Sequence, residues 1–110
     1  MLRPSQPEVD RLAITTVFTF RTAPGHRAAG MKAVEQTRAL HEGVGATVRV
    51  WSVLFGGADS LKVVYAAEYA DFADYQHKRE KMPAHPLGEA IEAGTLIGMS
   101  NVILTEIEAH

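Results

Sequence analysis

The sequence contains no cysteine, which excludes disulfides, thiolate nucleophiles and cysteine metal sites, and fits a reducing compartment such as the cytoplasm. It also lacks a run of one charge. Lys and Arg total 11 against 13 Asp and Glu, for a net charge of −2, so a nucleic-acid partner is not expected. No stretch approaches the ~20 apolar residues of a membrane span, and no membrane association is expected. Residues 1–11 carry two prolines and several polar side chains where a signal peptide would have an apolar core, so they are expected to form a flexible leader. Several catalytic signatures are missing as well. Ser52, Ser60 and Ser100 lack a G-x-S-x-G setting, and Gly56 and Gly57 belong to a turn rather than a phosphate cradle. No two of the five histidines have the helical i, i+4 spacing of a metal site. Hydrolase, nucleotide-binding and metalloenzyme chemistries are therefore not expected.

What is present is a globular balance, 46% hydrophobic and 22% charged residues, enough apolar material for one packed core. A chain of 110 residues has room for one domain, expected over residues 12–110. Residues 12–22 alternate Ile14, Thr16, Phe18 and Phe20 with Thr15, Val17 and Thr19, a strand pattern. Pro24 and Gly25 end it. A helical stripe of Gly30, Ala33, Val34, Thr37, Leu40, His41 and Val44 then predicts a helix over about 26–42, with Gly43 as its closing residue. Strands at 46–55 and 61–69 flank a five-residue, glycine-containing hairpin loop. Asp71 is placed to cap a helix over 72–82, whose inner stripe holds Phe72, Tyr75, Gln76, Arg79 and Met82. Pro86 opens a short helix ending near Gly94, and residues 99–107 form the last strand.

This order, βαββαβ, predicts an α+β ferredoxin-like antiparallel sheet with its helices on one face. The other face does not read as polar. Val48, Val50 and Leu54 oppose Trp51, Val53 and Phe55, while Val102 and Leu104 oppose Ile103 and Ile107. Strands apolar on both faces need a second cover, and another copy of the sheet supplies one, so a homodimer is expected.

The element order, the hairpin VRVWSVLFGGADSLKVVYAAEY, the helix ADFADYQHKREKM and the late prolines resemble the dimeric α+β barrel superfamily, over about residues 12–107. The texture is most similar to its NIPSNAP-like branch, and next to the antibiotic-biosynthesis monooxygenases. The resemblance implies either a non-catalytic, small-ligand-binding or stress-associated homodimer, or an enzyme that oxygenates a small aromatic or polyketide-like substrate with no metal or flavin cofactor. The haem-degrading branch fits less well. The first strand has Thr16 and Thr19 where an asparagine is needed, Trp51 is on the second strand instead of the third, and His77 is phased toward water.

The residues best placed to bind a small hydrophobic or aromatic ligand are His41, Trp51, Tyr65, Tyr75 and Arg79. His41 lies on an inner stripe at a helix C-terminus, where the dipole favours a protonated imidazole. Trp51, Tyr65 and Tyr75 offer aromatic faces, which serve core or interface packing equally well. A guanidinium on an apolar stripe requires an anion, and Glu68 or Glu106 on neighbouring strands is the expected partner of Arg79. His26, His85 and His110 are expected to be solvated.

Overall fold

β-Branched and aromatic side chains at alternate positions extend β1, Ile14–Thr22, and place Ile14, Thr16 and Phe20 inward. The structure is a computed structural model that describes residues 12–53, 61–82 and 85–105. After β1 come α1 (Arg27–Gly43), β2 (Thr47–Ser52), β3 (Val63–Tyr69), α2 (Phe72–Glu80), α3 (Pro86–Glu92) and β4 (Leu96–Thr105). The four strands form one antiparallel sheet in the order β2-β3-β1-β4. This is the α+β ferredoxin-like arrangement expected from the element order, with β1 and β3 in the centre.

Period-two alternation divides the sheet into two unlike faces. Inward, Ile14, Phe20, Val48, Val63, Tyr65 and Ala67 share one buried cluster with Ala33 and Val34 of α1 and Leu87 and Ala90 of α3. Burying a side chain such as Phe20 completely is worth about 1.5–3 kcal/mol. The stripe of α1 is as expected, with Gly30, Ala33, Val34, Thr37 and His41 buried. Gly30 is required by proximity, because a Cβ there would stand 2.6 Å from the Thr22 side chain and 3.0 Å from that of Leu96.

Outward, strand register aligns three transverse rows: Thr47, Glu68, Thr15 and Leu104; Arg49, Ala66, Val17 and Val102; Trp51, Val64, Thr19 and Ser100. No helix among the described residues joins their side. Trp51, Val102 and Leu104 are 49%, 50% and 49% exposed, so an apolar band crosses an open face.

Several boundaries differ from the sequence reading, each for a local reason. The residue that closes α1 is Gly45, at φ +94°, and Gly43 is still helical. Ala46 N–H donates to His41 O at 2.9 Å and Gly45 N–H to Glu42 O at 3.0 Å, the paired bonds of a Schellman motif. β4 begins three residues early, at Leu96, which pairs with Thr22. Gly98, at φ +66°, lies in a register shift opposite Thr19 and Arg21, so it makes a bulge where it would otherwise break the strand. α2 stops at Glu80, and of its expected inner stripe only Tyr75 is buried. The expected hairpin loop and residues Leu54, Phe55, Glu106 and Ile107 lie outside the described residues.

Asp71 caps α2 as expected, accepting from Asp74 N–H at 2.7 Å, while Asp74 accepts in return from Ala70 N–H at 2.9 Å. Replacing Asp71 with Ala should cost about 1 kcal/mol in urea unfolding. An unchanged midpoint would show that α2 is held by packing alone.

Candidate functional site

Tyr65 stands in the middle of β3 with its ring fully buried, and a phenol hydroxyl there is costly unless it is bonded. The partner comes from the last turn of α1. His41 Nδ1 lies 2.6 Å from Tyr65 Oη and 3.1 Å from the carbonyl oxygen of Thr37. Two arrangements satisfy these distances: Tyr65 O–H donates to a bare Nδ1, or Nδ1–H donates to Thr37 O with Tyr65 Oη alongside. In both, Nδ1 is committed and Nε2 is the ring nitrogen left for a ligand. The His85 ring stacks edge-on at 5.3 Å from His41, and Phe18 lies 5.7 Å from His85.

Burial decides the charge of this pair. It pushes His41 down to about 4, with the adjacent His85 lowering it further, and burial lowers His85 as well. The helix C-terminus, expected to favour a protonated imidazole, is outweighed because the ring is buried and its own last-turn carbonyls are engaged by the Schellman bonds. Burial also raises Tyr65, and it raises Tyr69, with Tyr75 adding to the effect. Both phenols are therefore neutral.

A cleft of about 380 Å³ opens between the sheet and the helices. Thr16 and Phe18 of β1 and Asn101 and Ile103 of β4 form its floor, with Tyr69 of β3 beside them. His41 and His85 close one side, and Tyr75, Arg79 and Met82 form the other. The cleft exists because α2 docks through a single buried side chain. The Tyr75 ring meets Tyr69 edge-on at 5.1 Å, leaving the rest of the helix raised off the sheet. A wider hollow of about 690 Å³ lies at the end of the sheet, but its Lys78 already pairs with Asp74 at 2.8 Å and donates to Gly45 O at 3.1 Å.

Of the five ligand candidates, the fold brings His41, Tyr75 and Arg79 to the cleft and sets Tyr65 directly behind His41. Trp51 is corrected: it points to the opposite face, because strand register aligns it with Val64 and not with Tyr65. The expected salt bridge of Arg79 to Glu68 is corrected too. Arg79 is exposed, donating to Tyr75 Oη at 3.3 Å and lying 5.9 Å over its ring, while Glu68 is on the outer face, the far side of the sheet. Glu106 lies outside the described residues. His77 is exposed, as expected. His85, expected to be solvated, is half-buried, and Asn101 joins it in the cleft. The signals for these two were faint: a histidine directly before the proline that opens α3, and a lone amide in an apolar strand. Among the described residues no group of three His, Asp or Glu side chains could hold a metal, and no helix is long and apolar enough to cross a membrane.

An unfolded histidine titrates near 6.5, whereas His41 stays neutral down to about 4. Between those values the unfolded chain binds more protons, so stability falls as pH drops, by up to about 3 kcal/mol across the window. The folded-state lowering of His85 acts in the same direction. Urea unfolding at pH 7 and pH 4.5 should show this loss, and His41→Gln should remove most of it. An equal loss in the variant would assign the effect to other groups.

Comparison with known proteins agrees with this architecture. The family model described as NIPSNAP matches residues 16–107. A NIPSNAP family protein of unknown function from Agrobacterium tumefaciens superposes with a TM-score of 0.62 at 16% identity, covering 87% of this chain and 89% of that one. SnoaB, a cofactor-independent oxygenase from Streptomyces nogalater, superposes at 0.65 with 16% identity, covering 88% and 95%. A putative monooxygenase from Shewanella loihica gives 0.61 at 15% identity over 88% and 96%. At these identities the likeness is one of fold. No curated protein is significantly similar to the chain. With its sheet, its helices and 16–107 all accounted for by one family model, the chain belongs to the NIPSNAP family.

Proposed function

We propose that the protein is a cytoplasmic homodimer that binds a small, largely apolar aromatic molecule in the cleft of each protomer. The observation that carries this reading is the cleft itself. It is about 380 Å³, within the ~300–1,000 Å³ of ligand sites, and combines aromatic walls with a few convergent polar groups. The homodimer is supported by the outer face, where Trp51, Val102 and Leu104 stand half exposed in one band and a second sheet would bury them. The cytoplasmic setting is supported by the cysteine-free composition.

A second reading, cofactor-independent oxygenation, is favoured by the His41–Tyr65 bond of 2.6 Å and by the fold shared with SnoaB. In the arrangement where Nδ1–H donates to Thr37 O, the bare Nε2 of His41 would accept a proton from an acidic substrate; the carbanion would give an electron to dioxygen and the two radicals would combine in a C–O bond as a peroxide, with the protein supplying a dry site. Oxygen uptake with a phenolic polycycle that His41→Ala abolishes would select this reading over simple binding.

Ligand-observed NMR with 2-naphthalenemethanol should show saturation transfer to the probe, and filling the cleft by Asn101→Phe should abolish it without altering circular dichroism. Transfer that survives the filled cleft would place binding elsewhere. Light scattering should give twice the 12.0 kDa chain mass for the wild type and a monomer for Trp51→Glu. A wild-type monomer at micromolar concentration would contradict the dimer.

A further inference from the structure

We infer that the ligand of the cleft is a planar aromatic anion, in the simplest case a carboxylate, whose charge is read by Arg79 at the mouth. This deepens the ligand-binding reading and rests on it.

The cations of this chain are unequally provided for. Arg38 holds Glu42 at 2.7 Å and Lys78 holds Asp74 at 2.8 Å, each one turn away on its own helix. Arg79 follows Lys78 directly, yet one turn before it stands Tyr75, not an acid. Its guanidinium donates to Tyr75 Oη at 3.3 Å and lies over the ring at 5.9 Å, and among the described residues no carboxylate reaches it. One bond to the tyrosine anchors the guanidinium beside the cleft while leaving most of its donors unused, and a fork with free donors suits bidentate capture of a carboxylate.

The remainder of the cleft points the same way. Besides Arg79 its polar side chains are Thr16, His41, Tyr69, Tyr75, His85 and Asn101, all able to donate a hydrogen bond or gain a positive charge, and no described carboxylate lines it. Of the acids near Arg79 in sequence, the adjacent Glu80 is exposed and does not line the cleft, Asp71 and Asp74 are engaged at the start of α2, and Glu68 is on the outer face. Phe18, Tyr69 and Tyr75 supply flat apolar surface for a ring.

The imidazole pair adds a signature that a neutral ligand would not give. His41 is faced by Tyr65 and Tyr69 from β3, by His85 ahead of α3, and across the cleft by Tyr75 and Arg79 from α2. None of these is a carboxylate. A bound carboxylate would be the one negative charge in the site, and it would draw a proton onto an imidazole that burial otherwise keeps neutral.

Calorimetric titration of the full chain with 2-naphthoate and with the uncharged 2-naphthamide, at pH 6 and in buffers of different ionisation enthalpy, tests this. Naphthoate should bind the wild type at least tenfold more tightly than naphthamide and take up a fraction of a proton, whereas naphthamide takes up none. Arg79→Met should erase the preference and Arg79→Lys should restore only part of it. Arg79 is exposed, so the Met variant should keep its unfolding midpoint, which separates lost recognition from lost fold. Equal affinity for the two probes, or a preference that survives Arg79→Met, would overturn the anion inference while leaving the cleft a ligand site. Failure of both probes to bind at millimolar concentration would overturn the inference together with the ligand-binding reading beneath it.

Discussion

The hydroxyl of Tyr65 lies where no water reaches it, at the centre of β3, and only its 2.6 Å bond to His41 makes that position tolerable. The bond ties the last turn of α1 to the sheet. The Schellman cap holds the same turn from the other side, with Ala46 N–H on His41 O. One imidazole is thus fixed by backbone and by phenol together. His85 is then packed against it at 5.3 Å, and Phe18 against His85 at 5.7 Å. A rigid, neutral wall results from satisfying one buried polar atom.

Across from that wall, α2 is held by the single buried ring of Tyr75 and by the bond from Lys78 to Gly45 O. The contrast between the two helices produces the cleft. One turn on from Tyr75, α2 carries the exposed Arg79 and not a second buried ring. A charged side chain there forfeits packing, and the polar mouth is the consequence. On the opposite face of the sheet Trp51, Val102 and Leu104 are about half exposed, apolar area that a lone chain leaves in water.

Much of this was legible in the residues. Alternation in β1 and the stripe of α1 follow from periods of two and 3.6, and the capping role of Asp71 follows from its place before a helical segment. The site was legible in part. The stripe brings His41 inward and places Tyr75 on the sheet side of α2, but which strand face meets a helix depends on register across strands distant in sequence. That is why Trp51, aligned with Val64, belongs to the outer face. Arg79 was misread for a related reason, because a wheel assigns a face without showing how closely the helix approaches. The state of His41 turned on burial, which outweighs the helix dipole. His85 and Asn101 have no periodic signature, since each enters the cleft from an element boundary or an edge strand. The NIPSNAP family match over residues 16–107 accords with the fold, and a fold does not by itself assign a function.

The account stands most directly on the state of the His41 ring, and imidazole ¹⁵N NMR across pH reads it. The ring should remain neutral through pH 6, with its protonation midpoint near 4 and with Nδ1 shifted when Tyr65 is replaced by Phe. A midpoint near 6.5 and a ring indifferent to Tyr65 would mean that the imidazole is solvated, that the buried bond is absent, and that the wall of the cleft is not built as described.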